Sequence, residues 1–173
     1  IERGSKGDVK AYVVPAAQHD PLTAVKMINT LLESGVEIKK AETDFTVDGR
    51  IYPAGSYLIS LAQPKMGLIR NLLGQTFYPD NEWTRADDGT PLRPYDLSTH
   101  TMNEFMGVQA DPVGTIDEGS FQILKGQIER AGVLADGTDR YLLDGRLNDS
   151  FKAVNLLLEK APKTKIFRSH DAP

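Results

Sequence analysis

Apolar and polar residues alternate along this chain with two different periods, and the switch between them marks out the elements. Tyr12-Val13-Val14 is a short apolar run inside Lys10–Ala17, bounded by Pro15, and it reads as a buried strand. Leu22, Val25, Ile28, Leu31 and Leu32 then recur at helical spacing. Asp20-Pro21 stands in front of them as a cap and first-turn proline, and Gly35 stands behind as a stop. Val36–Ala41 is a second strand. Phe45–Val47, Asp48-Gly49 and Ile51-Tyr52 give a hairpin signal. Ser56–Leu61 follows as an apolar strand, and a helix begins at Gln63-Pro64 with Leu68, Ile69, Leu72 and Leu73 as its inward face.

Regular periodicity fades from Thr76 to Pro112, a turn-rich stretch that contains the single tryptophan, Trp83. Burial of Phe77, Tyr78, Trp83 and Tyr95 is expected to order it. Thr101–Met106 reads as one short helix. Phe121–Leu124 and Gly126–Arg130 read as strands meeting at a turn.

The first unit then recurs. Tyr12, Asp20, Ala24 and Val25 match Tyr141, Asp149, Ala153 and Val154 at one constant offset, with His19 opposite Asn148. This predicts a second βαβ unit over 139–168 to accompany the first over 10–41, with Asp149 capping its helix as Asp20 caps the first. The second copy stops where the first continues into another strand. An open sheet edge or uncovered apolar face is therefore expected near Lys165–Arg168, buried either in a homodimer or against a missing part of a parent protein. Residues 1–9 read as linker or expression remnant, and 10–173 as one domain, truncated at its end. The start at Ile1 suits an excised fragment.

Composition narrows the partners. With 40% hydrophobic and 25% charged residues, the 173-residue chain can build a core. A net charge of −4 argues against nucleic acid or an anionic membrane surface. No stretch approaches the roughly 20 apolar residues that span a bilayer. The absence of cysteine removes disulfides, thiolate nucleophiles and thiolate zinc sites.

Candidate chemistry is sparse. His100 has Glu104 four residues on but no second local histidine, so a structural role outweighs a metal-ligand role. His19 precedes a helix start, where ligands bind in open α/β sheets, although a capping turn is the stronger expectation. His170 is near the terminus and is expected to be solvated. Asp96, Ser98 and His100 are close in sequence, but such neighbours rarely orient as a triad. Glycine-rich phosphate loops and the Gly-x-Ser-x-Gly elbow are missing. From the residues alone the chain reads as a non-catalytic α/β module.

A set of short motifs adds to this. Tyr12–Gln18, Gly35-Val36-Glu37-Ile38, Tyr52-Pro53-Ala54-Gly55-Ser56-Tyr57, Gln63-Pro64, Tyr78-Pro79, Pro94-Tyr95-Asp96-Leu97 and Met106-Gly107-Val108 occur in an order and spacing similar to the region that follows the catalytic domain in bacterial zinc carboxypeptidases of the carboxypeptidase A type. That region resembles a class I glutamine amidotransferase. The resemblance implies a layered αβα, flavodoxin-like domain with a mostly parallel sheet. It also implies a secreted or periplasmic parent that uses zinc in its catalytic domain to remove C-terminal residues from peptides.

The family's His-x-x-Glu zinc motif does not occur at His19, His100 or His170. If Ala62-Gln63-Pro64 is the amidotransferase elbow, Gln63 stands where the nucleophilic cysteine would be. The resemblance thus implies an accessory domain that packs on the catalytic domain or helps bind peptide, with no catalytic or metal-ligating residue of its own. His19, Gln63 and His100 are the ligand-binding candidates. The alternatives are a hydrolase using Ser98, His100 and Asp96, and a small-ligand-binding module.

Overall fold

The computed structural model describes residues 2–75, 79–93, 101–115, 119–129, 141–161 and 163–168. Within the 1–9 segment a short helix, α1 (Glu2–Lys6), precedes strand β1 (Ala11–Val14), helix α2 (Pro21–Glu33) and strand β2 (Lys39–Ala41). The hairpin β3 (Phe45–Val47) and β4 (Arg50–Tyr52) leads into β5 (Tyr57–Ser60) and α3 (Met66–Leu73). A 3-10 turn at Glu82–Thr84 comes next, then α4 (Met102–Met106), β6 (Asp111–Val113), β7 (Phe121–Ile123) and α5 (Asn148–Lys160).

Local chemistry explains α2 at both ends. Asp20 Oδ1 accepts from the N–H groups of Leu22 and Thr23, both at 3.0 Å, and Pro21 occupies a first-turn position where a missing donor costs nothing. At the other end Gly35 takes φ 78°. This lets its own N–H reach the Leu32 carbonyl and the Val36 N–H reach Leu31, the Schellman pairing that satisfies otherwise orphaned carbonyls. The apolar stripe between them is buried through Val25, Ile28 and Leu31.

The sheet corrects the expected fold class. Five strands lie in the order β6-β1-β5-β2-β7, and every neighbouring pair is antiparallel. A mostly parallel, flavodoxin-like αβα sheet is therefore not what the described residues form. β1 and β2 do run in the same direction, as a crossover through α2 requires, because both are antiparallel to β5. They are not neighbours. The β3–β4 hairpin reverses the chain after β2, and β5 returns between the two, which makes β1-α2-β2 a split unit.

The hairpin also covers the sheet. Asp48 and Gly49 both take positive φ, 48° and 76°, giving the turn geometry that matches strand twist and setting Phe45 opposite Tyr52. Those rings stack at 5.4 Å, and Phe121 meets Phe45 edge-on at 5.1 Å. Ala11, Val13, Leu58 and Val113 pack with this hairpin on one side of the sheet. Tyr12, Val14 and Ile59 pack with Ile28, Leu31 and Ile69 of α2 and α3 on the other. This is why all of β1 is buried even though its pairing is antiparallel.

The expected repeat is realised only in its helix. Tyr141, Leu142 and Leu143 are exposed and outside any strand, and Thr164–Phe167 lie outside any strand too, so no second βαβ unit is formed by the described residues of 139–168. Ile166 and Phe167 are 48% and 82% exposed, which puts an uncovered apolar surface beside Lys165–Arg168. Asp149 does not cap α5. The cap position is Leu147, with no side-chain bond, and Asp149 lies in the first turn.

Nor do the described residues of Gly126–Arg130 form a strand. The Asn29 amide on α2 accepts from the Ile128 N–H at 2.8 Å and donates to the Ile128 carbonyl at 3.1 Å, taking the place of a strand partner. In the 76–112 segment, the aromatic-burial expectation fails at Trp83, which is 80% exposed. Residues 79–93 are ordered by polar closure instead. Asn81 and Thr84 form a reciprocal capping box, and Arg85 grips Asp80 through Nε at 2.7 Å and Nη2 at 2.8 Å. Phe77, Tyr78 and Tyr95 lie outside the described residues.

Candidate functional site

The β1–α2 connection is where the sequence places His19, and the structure brings a second helix start to the same point. Pro15–His19 leave β1, His19 is exposed, and Asp20 turns inward to 6% exposure. Oδ1 of Asp20 caps α2. Oδ2 accepts the Thr23 hydroxyl at 2.7 Å and the backbone N–H of Asn148, the first residue of α5, at 2.9 Å. One carboxylate thus serves the first turns of two helices, both of which favour negative charge there. Asn148 Nδ2 donates to Thr23 Oγ1 at 3.0 Å, and Lys26 pairs with Asp149.

Electrostatics fix the charge states. Burial alone would raise the Asp20 carboxyl, but hydrogen bonds from Asn148, Thr23 and Leu22 outweigh it and hold the group below the usual aspartate range. Asp144, on the approach to α5, is held down to about 2 by the Arg146 guanidinium and backbone N–H, with a smaller contribution from His19.

The position that an exogenous anion would take in an open α/β sheet is therefore filled by the protein's own carboxylate. Thr23 is both donor to Asp20 and acceptor from Asn148, so its hydroxyl is not paired with a free base. The arrangement holds two helices together.

Gln63 has an equally defined position. Its buried amide accepts from the Glu37 N–H at 2.8 Å and donates to the Glu37 carbonyl at 3.0 Å and the Ser60 carbonyl at 2.7 Å. Gln18 does the same on the other flank, accepting from the Gln109 N–H at 2.9 Å and donating to the carbonyls of Gln109 and Pro15. With Asn29, three carboxamides imitate a strand partner at points where the chain leaves regular structure. Sequence reading singled out Gln63 but missed Gln18 and Asn29 in this role. For Gln18 a polar side chain just past the end of a strand was the available signal; Asn29, within α2, offered none.

A second polar cluster ties β6 to the hairpin. Asp111 Oδ2 accepts from Arg50 Nη1 at 2.8 Å and Tyr52 Oη at 3.0 Å, and burial followed by the Asp111 hydrogen bond raises the Tyr52 phenol. Asp96, Ser98, His100 and His170 lie outside the described residues, and the structure does not bring His19 and Gln63 together through any shared contact. Among the described residues no three His, Asp or Glu side chains gather to hold a metal ion, and no helix is long and apolar enough to cross a membrane. No protein-family model, curated protein or solved structure matches the chain.

Proposed function

We propose that this chain is a non-catalytic accessory module of a larger zinc metallocarboxypeptidase-like protein, secreted or periplasmic, whose catalytic domain holds the zinc and removes C-terminal residues from peptides. The module packs on that domain or helps bind its peptide substrate. The observation that carries the reading is what the polar side chains of the motif set do. Gln18 and Gln63 are engaged with neighbouring backbone, and Ser56 Oγ accepts from the Ala16 N–H at 3.0 Å while donating to the Pro53 carbonyl at 2.7 Å. Gly35, Gly55 and Gly107 of the same motifs take positive φ at turns. These residues hold connections in shape, which supports a scaffold role for the motif set.

The direct test has two parts. Residues encoded upstream of Ile1 should include a His-x-x-Glu zinc motif, and the chain alone should hold no stoichiometric zinc and release no C-terminal residue from peptides. Tightly held zinc in the isolated chain, or peptide or ester turnover lost on Ser98→Ala or His100→Ala, would replace this reading with a hydrolase.

A further inference from the structure

Helix α5 is fastened to the rest of the molecule in an unusual way. None of its residues is buried, and Phe151, Leu156, Leu157 and Leu158 are 61%, 43%, 43% and 45% exposed. Only Asp149, Ser150, Ala153 and Val154 are half-buried, a narrow face that removes little apolar area from water. The specific contacts sit at one end. Among the described residues they are Asn148 N–H to Asp20 Oδ2, Asn148 Nδ2 to Thr23 Oγ1, and the Lys26–Asp149 ion pair, whose partners are both substantially exposed. Exposed ion pairs of this kind contribute little, so the two Asn148 bonds dominate.

We propose that α5 is an arm held by a polar latch at Asn148, and that it undocks from α2 as a unit while the sheet and α2 stay folded. The two oxygens of Asp20 separate these tasks. Oδ1 caps α2 through the backbone N–H groups of Leu22 and Thr23 without involving α5, whereas Oδ2 accepts from Asn148 beside the Thr23 hydroxyl. Core and arm are therefore joined by a group that the core can lose without losing its own cap. Once released, a 13-residue helix is marginal in water, so undocking exposes its amides to exchange.

Two substitutions address the latch without removing the α2 cap. Asp20→Asn keeps a carbonyl oxygen for Leu22 and Thr23, since asparagine caps as well as aspartate, and turns an NH2 group toward the Asn148 N–H. Asn148→Pro deletes that N–H at the first position of α5, where proline is favoured, and Leu147 before it already has the extended backbone that proline demands (φ −89°, ψ 128°). Hydrogen exchange of the full chain, followed by mass spectrometry, reads both helices at once. In each variant, amides of Val154–Lys160 should exchange about tenfold faster or more, while α2 amides lose far less protection. Unchanged α5 protection in either variant would overturn the latch. So would a parallel loss of protection in α2 and α5, because α5 would then belong to the core's own cooperative unit.

Discussion

The backbone N–H of Asn148 donates to Asp20 Oδ2 across 128 positions of sequence, at 2.9 Å. A residue whose local task is to cap one helix thereby becomes the tie for another. The same side chain lies on the β1–α2 connection, so its removal reaches α2 and α5 together.

Asp20→Ala should lower unfolding stability by at least about 1 kcal/mol, the usual cost of losing an aspartate cap, with a further loss from the Asn148 N–H left without its acceptor. Urea unfolding at neutral pH checks this. A midpoint equal to that of the unaltered chain would remove Asp20 from the cap.

The same carboxylate predicts a pH response. Its folded pKa lies below the unfolded value near 4, so its stabilisation is fully present above about pH 4 and is lost as pH falls through the depressed folded value. Urea midpoints taken from pH 6 down to pH 2.5 should fall more steeply for the unaltered chain than for Asp20→Asn, which cannot titrate there. The Lys26–Asp149 pair is common to both chains, so the difference between them isolates Asp20. Parallel curves would show that Asp20 does not contribute.

Gln63→Ala should cost about 1–3 kcal/mol, because it strips partners from Glu37 and Ser60 at a buried site. Gln63→Glu should also destabilise: a carboxylate can accept from Glu37 N–H but turns an oxygen toward two carbonyls. If either variant melts with the unaltered chain, the amide is not holding the turn at Ala62-Gln63-Pro64.

Gly4 sits so close to β5's end that an added Cβ would lie 1.9 Å from the Leu61 carbonyl oxygen. Gly4→Ala should therefore push α1 off the sheet, and tryptic cleavage after Arg3 and Lys6 should accelerate while the rest of the chain stays resistant. Equal cleavage rates would mean that α1 tolerates the extra carbon.

Trp83 is held out in water by a turn closed through Asn81, Thr84, Asp80 and Arg85. Trp83→Ala should change stability by less than about 0.5 kcal/mol, as surface substitutions do. The tryptophan emission should be water-like and readily quenched by iodide. A blue-shifted, protected emission would place the ring in contact with something that covers it.

Much of the local structure was legible in the residues. Asp20-Pro21 and Gly35 delimit α2, Asp48-Gly49 makes the hairpin, and the strand at Tyr57–Ser60 and the helix at Met102–Met106 fall inside their expected windows, because each depends on φ preferences, caps and periodicity within a few residues. The direction and neighbours of the strands were not. A run of three or four apolar residues looks the same beside a parallel partner as beside an antiparallel one, and only the path of β3–β4 sends β5 back between β1 and β2. The second copy marks the same limit. Residues 148–160 carry enough local pattern to be helical, whereas Tyr141–Leu143 and Thr164–Phe167 have no paired neighbour among the described residues, and a strand exists only through its partner's hydrogen bonds. Asp20, legible as a cap from its place before Pro21, gained its hold on Asn148 only when the fold brought two distant helix starts to one carboxylate.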